Sequence, residues 1–495
     1  MNQRSFSASS MFLRITTFFV GVFALVLSLP TFSPAADDDR VGISGDWAGD
    51  VVIGAFEMRV LFRIREYPNG NITAALSAPD KSELPVPVTV ITRDDKDVRI
   101  DVDTIGGKYR GKLSGNGKRI RGEWTQGEYN VDLDLDFVEG GFAQGRPQTP
   151  KPPFDYAVEE VTFSNAFSNK SLAGTLSLPR SRPRHGTGHP AIVLVSDAGP
   201  HNRDAEDSSH RPFAVIADFL TKRGLAVLRY DDRGVGKSAG EHAFGTTADF
   251  ATDAYSAVEF LKKRDDINST KIGYLGHGEG ALIATIASAK RDDIAFLVLL
   301  GSPGVRGNKT LIAQTDTLAR VSGVSQQTRD LLTEFTGALY ALLIGDPAAA
   351  LAEAERLGAE LQKSVAALPA EEAQKLGEVG MVVGQQIKSL ESESPWLPRF
   401  VAYHPREDFE KLTNPILFLT GENDLETPAA FHFPAIEATF THSQHKDFTL
   451  ETLKGLNHRF QKTDNGAPSL YGTLEETFAP TALRTIGDWI DQRFR

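Results

Sequence analysis

The stretch with the clearest chemical meaning runs from Lys271 to Ala281, KIGYLGHGEGA: an apolar run, a glycine-rich turn, then residues that open a helix. A strand that turns sharply into a helix is the setting of a nucleophile elbow, G-x-S-x-G, where flanking glycines give the strained central residue room. Gly276 and Gly280 supply those glycines, and Gly278 stands where the serine hydroxyl would be. The same residues fit G-x-G-x-x-A, a dinucleotide fingerprint. However, the next apolar run, AFLVLL, ends in Gly301-Ser302 and not in the acidic residue that would hold a ribose. Tyr230 to Ser238, YDDRGVGKS, ends like a phosphate-binding loop, but Asp231 takes the place of that loop's first glycine. Asp232 and Arg233 within it are expected to pair as ions and brace the loops beside the pocket. His442 and His445 lack a third ligand at helical spacing, so no metal site is expected.

The chain around this turn has 495 residues, enough for two or three domains with ample core. With 53 Lys and Arg against 65 Asp and Glu, its formal charge is −12, which makes nucleic acid an unfavourable partner. It contains no cysteine, which removes disulfides, thiol nucleophiles and thiolate metal sites together. Any chemistry must use oxygen and nitrogen groups. Arg4 and Arg14 precede an apolar run from Ile15 to Leu29, followed by Ser33-Pro34-Ala35, so residues 1–35 read as a secretory signal peptide. Export to a periplasm or the exterior is the expectation. That run is shorter than the roughly 18 to 20 residues a spanning helix prefers, and no later segment is apolar enough, so no integral span is expected in the mature chain.

Residues 40–139 alternate with period two, as in Val131, Leu133, Leu135 and Phe137 against Asp132, Asp134 and Asp136. Turn signals at Pro68-Asn69-Gly70-Asn71 and Gly115-Asn116-Gly117 then predict an antiparallel β barrel or sandwich of roughly eight strands, with one buried and one wet face. Residues 140–157 read as a proline-rich linker. From 158 to 305, continuous apolar runs such as AIVLV alternate with helical patterns, which predicts a mostly parallel sheet covered by helices on both faces. Residues 306–400 are rich in helix formers and read as an inserted helical cap, after which the α/β pattern resumes over 401–495.

Five blocks in order now carry a resemblance. They are Ser196-Asp-Ala-Gly-Pro-His-Asn-Arg-Asp204 against S-G-x-G-P-x-x-R-D; the YDDRGVGKS block itself; and Gly276-His-Gly-Glu-Gly-Ala281 against GHSEGG. Gly421-Glu-Asn-Asp424 against GExD and Gly455-Leu-Asn-His458-Arg-Phe-Gln461 against GLNHxFQ complete the set. The chain resembles the α/β-hydrolase superfamily, in its exported esterase-like branch with an N-terminal β domain and a helical cap. The resemblance implies an α/β-hydrolase fold, with Asp424 as the acid that orients an imidazole and His458 as the general base. It also implies an oxyanion hole built from the backbone N–H of Glu279 and an N–H of the loop at Asp197 and Ala198, with His277, Asp232 and Arg233 as pocket support.

Glycine at 278 offers no hydroxyl for His458 to deprotonate, so an acyl-enzyme cannot form there. Three readings stay open: a water activated by Asp424 and His458 attacks an acyl carbonyl; a pseudoenzyme binds an ester, lipid or peptide without turnover; or the nucleophile has moved to Ser196 or Ser302, both near strand C-termini. The expected partner is a small acyl ester or lipid-like molecule, and no cofactor is expected.

Overall fold

A computed structural model describes residues 43–494, apart from 54–55, 67–71, 78–85, 128, 139–145, 181–187, 370–372, 374 and 392–393. The expected signal peptide and the turn at 68–71 lie outside the described residues, as do residues 140–145 of the expected linker. The chain divides into two compact units, one of residues up to 148 joined by 467–477, the other of 149–466 joined by 478–494.

The first unit is an antiparallel sheet of β1 (Gly45–Ile53), β2 (Phe56–Glu66), β3 (Ile72–Ser77), β4 (Val86–Pro87), β5 (Val90–Asp94), β6 (Asp97–Val102), β7 (Gly107–Leu113), β8 (Arg119–Gln126), β9 (Tyr129–Asp132) and β10 (Leu135–Phe137). Its strand order is β4-β3-β2-β1-β10-β8-β7-β6-β5, with β9 paired to β8. Trp47, Phe62, Ile100, Tyr109, Ile120 and Leu135 fill one buried face. The described strands number ten rather than eight because short pieces such as β4 and β10 extend the sheet. The second face of β2 is not wet. Leu61 and Arg63 are buried there, Arg63 Nε lies 3.2 Å from Asp46 Oδ1, and its Nη1 donates to the Gly472 carbonyl at 3.0 Å. Segment 467–477 belongs to this unit and supplies that carbonyl, a long-range contribution invisible to local periodicity.

The second unit is built on an eight-stranded sheet of β11 (Tyr156–Ser164), β12 (Ser171–Pro179), β13 (His189–Val195), β14 (Ala226–Tyr230), β15 (Ile267–His277), β16 (Leu297–Leu300), β17 (Ile416–Gly421) and β18 (Phe448–Leu453). Its order is β11-β12-β14-β13-β15-β16-β17-β18; β11 to β12 and β12 to β14 are antiparallel and the rest parallel. The central runs Ala191–Val195, Ile272–Leu275 and Leu297–Leu300 are buried throughout because both faces of the sheet are covered. In β13, Ala191, Val193 and Val195 face helices α2 (Thr247–Lys262) and α3 (Glu279–Ser288), while Ile192 and Leu194 face α1 (Pro212–Lys222) and the closing helix Pro480–Phe494. Thr246 starts α2 with a reciprocal cap, its hydroxyl accepting from Asp249 N and the Asp249 carboxylate accepting from Thr246 N.

Besides the short helix Arg406–Phe409, which packs on the sheet, the described residues between β16 and β17 form the helices α4 (Gly307–Val321), α5 (Gln326–Ile344), α6 (Pro347–Ala366), α7 (Gly377–Glu391) and α8 (Trp396–Ala402). They share a core of their own, including Leu332, Phe335, Leu357, Leu361 and Val383.

Candidate functional site

Strand β15 ends at His277 and α3 begins at Glu279, so Gly278 alone makes the turn, at φ 55° and ψ −118°. That backbone disfavours any residue with a side chain, and glycine takes it without penalty. The helix packs directly under the end of β13, where a Cβ at Gly280 would sit 2.3 Å from the Val195 carbonyl oxygen. The glycines thus bring the N-terminus of α3 against the loop that follows β13.

Two other strand ends deliver the acid and the base. Asp424 follows β17 and His458 follows β18, and both side chains are almost wholly buried. His458 Nδ1 lies 2.9 Å from Asp424 Oδ2. The remaining acceptor capacity of Asp424 is filled by the N–H groups of Glu426 and Thr427, at 2.9 and 2.8 Å, and by the Thr427 hydroxyl at 2.8 Å. A carboxylate accepts only, so Nδ1 carries the proton and Nε2 is turned toward the elbow.

Asp197, on the loop after β13, reaches that same spot. Its Oδ1 accepts from Glu279 N at 2.8 Å and from Ala198 N at 2.7 Å, and its Oδ2 lies 3.2 Å from His458 Nε2. A Cβ built on Gly278 would fall 1.9 Å from Asp197 Oδ1. The carboxylate therefore stands where a serine side chain would project. Of the two main-chain donors expected for an oxyanion hole, Glu279 N and an N–H of the 197–198 loop, Glu279 and Ala198 present converging N–H groups, and the Asp197 side chain is the acceptor they hold.

The charges are tightly linked. Burial alone would raise the Asp197 carboxyl, but the hydrogen bond from His458, the neighbouring histidines and the Glu279 N–H outweigh it and hold Asp197 well below the usual range. Burial likewise opposes a charge on His458, yet Asp424, Glu426 and Asp197 raise it well above an ordinary imidazole. His458 is therefore an imidazolium between two carboxylates. His277 packs its ring 4.6 Å from that of His458 and places Nε2 2.8 Å from the His458 carbonyl, while burial and the charge of His458 push it down to about 4. It is a neutral brace for the loop that carries the base.

Asp232 and Arg233 do not pair with each other. Asp232 accepts from the Ser196 hydroxyl at 2.9 Å and from His201 N at 2.9 Å, and burial pushes it up to about 7. Arg233 points to α2, where its Nε lies 2.7 Å from Asp253 Oδ2. Each has its partners on a different element. Ser302 Oγ donates to the Pro303 carbonyl at 3.3 Å. Neither Ser196 nor Ser302 is placed to hand a proton to His458.

Among the described residues, Asp197, His277 and His458 are a trio whose ligand-type atoms all lie within 4.8 Å of one another. A carboxylate and two imidazoles suit a small divalent ion. Here, however, His458 Nε2 is committed to Asp197 directly, and no metal is assigned. His445 Nε2 faces the Asn414 carbonyl at 2.9 Å, and His442 is exposed.

Residues 206–341 match the family model described as serine aminopeptidase, S33. The chain is similar to esterase EstD of Thermotoga maritima, 28% identical over 185 residues, covering 37% of this chain and 43% of the esterase. It is also similar to an uncharacterized protein of Mycobacterium tuberculosis, 29% identical over 113 residues, 23% of this chain and 36% of that protein. The chain spans less than half the length of these curated relatives. Among solved structures, an esterase of Pyrococcus furiosus aligns over 69% of this chain and 92% of its own at 15% identity, with a TM-score of 0.41. Sheet order and the strand–turn–helix elbow are those of an α/β-hydrolase fold, and the matched segment is similar to that family.

Proposed function

We propose that the protein is an exported enzyme that hydrolyses a small ester-like or lipid-like organic molecule, with Asp197 taking the part that a serine plays in esterases. The observation that carries this reading is the position of the Asp197 carboxylate, in the space a side chain at 278 would need and 3.2 Å from His458 Nε2. Carboxylates are established covalent nucleophiles, and this one is fixed by two N–H groups and faced by an oriented imidazole. Its side chain is 26% exposed whereas that of His458 is 3% exposed, so a substrate meets the carboxylate first and the base lies behind it. Water activated by His458 then completes the hydrolysis.

A binding-only protein is the second reading. It is favoured by the Asp197–His458 ion pair, which leaves neither group free at rest. A pH-stat assay with p-nitrophenyl butyrate and 1-bromohexane separates the two. The catalytic reading expects acid release from at least one of them, reduced about 1,000-fold or more by Asp197→Asn and by His458→Ala. Equal rates in all three proteins would overturn it, and binding without turnover would favour the second reading.

A further inference from the structure

Where the helical insertion leaves the sheet and returns to it, the chain forms a groove of about 580 Å3 whose rim carries Arg306, Lys309, His404, Arg406 and His442. None of these residues belongs to the site around His458. We propose that this groove is a second binding site, for an organic phosphate: a phosphate monoester with a small apolar part.

The chain as a whole is acidic, so a rim of this composition is a local reversal of its charge. Arg306 immediately precedes the first turn of α4 and Lys309 lies within it, and that turn holds no acidic residue. A helix N-terminus carries a partial positive charge and ordinarily takes acidic side chains, so two cations there add to the field an anion would meet. Among the described residues neither cation has a carboxylate partner. Arg406 differs, because its Nε lies 2.7 Å from Glu410 Oε1, an oxygen that also stands 3.9 Å from His442 Nε2. Of three permanent cations on the rim, Arg306 and Lys309 are therefore left unanswered, which matches in size and opposes in sign the charge of a phosphate monoester at neutral pH. The field converges at His404. Burial lowers its imidazole first, Arg306, Arg406 and Lys309 lower it further, and Glu407, which does not line the groove, acts the other way.

The rest of the groove suits the organic part. Helix Ala429–Ser443 contributes Ala435 and Ala438, and the loop after β16 contributes Gly304 and Val305, small or apolar residues with no charge to compete for the ligand. Gly304 N donates to His432 Nδ1 at 3.0 Å, and a Cβ at 304 would lie 2.6 Å from the His432 carbonyl oxygen, so loop and helix are closed against each other there. A volume of about 580 Å3 lies in the range of small-molecule pockets and exceeds what bare phosphate fills. Guanidinium forks take phosphate oxygens in pairs and an ammonium takes them as a point charge, so Arg306 and Lys309 are suited to the same group.

Calorimetric titration of the full chain with hexyl phosphate tests this without any turnover. The expected result is one site per chain with Kd below about 1 mM, weakened at least about tenfold by Arg306→Gln with Lys309→Gln and by raising NaCl from about 50 to about 500 mM. Lys309→Gln alone, at an exposed position, should weaken binding in the same direction if the double variant folds poorly. Lys454→Gln with Arg484→Gln, which removes two exposed cations elsewhere, should leave it unchanged. Equal affinity in the parent and both groove variants, or no binding of hexyl phosphate, would overturn the proposal. Hexanoate binding as tightly as hexyl phosphate would overturn the phosphate assignment. Flotation with vesicles of phosphatidylcholine and phosphatidic acid, lost in the double variant, would support the site with a lipid headgroup as its source of phosphate; hexyl phosphate binding without flotation would support it with a soluble ester.

Discussion

At the scale of single residues, two departures from the esterase pattern compensate each other. Residue 278 is glycine where the blocks the chain resembles would carry serine, and residue 197 is aspartate where they would carry glycine. Each looks like an oddity alone, but in space the Asp197 carboxylate fills the room that a side chain at 278 would need. The pair of exchanges was written in the sequence. The contact between them was not, because positions 197 and 278 are far apart in sequence and carry no local sign that they meet. The buried acids of the site also predict a pH effect. Glu279 is pushed by burial from 4.5 to about 7 despite hydrogen bonds from Thr247 and Trp396, and burial does the same for Asp232 from 3.8 to about 7. A carboxyl raised on folding favours the native state while protonated; that contribution is complete below its unfolded value and is lost as pH rises through the folded one. Between about pH 5 and 8 these two groups therefore lower stability. Glu279→Gln, which keeps an acceptor for Thr247 and Trp396, should shrink the drop in urea midpoint between those pH values, and an unchanged drop would contradict the assignment.

At the scale of elements, the strand–turn–helix at β15 and α3 was legible because it is local: an apolar run, three glycines at fixed spacing, then helix formers. The alternation of apolar strands with helices was legible for the same reason. What escaped was partner choice across the sheet. Arg233 follows Asp232 in sequence but is aimed at α2, where it and Asp253 are both buried and Asn165 Nδ2 donates to Asp253 Oδ1 at 2.6 Å. Removing one member of a buried ion pair leaves the other uncompensated, at a cost of about 3 to 5 kcal/mol. Arg233→Ala should lower the unfolding free energy by about that much, while Arg233→Met with Asp253→Leu should cost clearly less. Urea titrations of the three proteins check this, and a loss below about 1 kcal/mol for the single variant would show that the pair does not brace α2.

At the scale of the whole molecule, the division into a β unit and an α/β unit with a helical insertion follows from the change in hydrophobic period near the proline-rich stretch. Segment 467–477 was not assignable that way. It lies between hydrolase elements in sequence yet belongs to the β unit, where Arg146 Nη2 donates to the Gly472 carbonyl at 2.9 Å and Leu470, Tyr471 and Leu474 are buried. A chain beginning at Thr149 would leave that segment without its partners. It should bind a hydrophobic dye strongly and aggregate; equal solubility with the full chain would contradict this. The exchange at 197 and 278 remains the point on which the functional account rests, and rates with p-nitrophenyl butyrate for Gly278→Ser, Asp197→Gly, the double variant and the parent protein test it most directly. Because a Cβ at 278 would lie 1.9 Å from Asp197 Oδ1, Gly278→Ser alone should gain less than about tenfold, whereas the double variant should gain about 1,000-fold and label with a fluorophosphonate at position 278. Equal activity in Gly278→Ser and the double variant would show that Asp197 never held the serine's place.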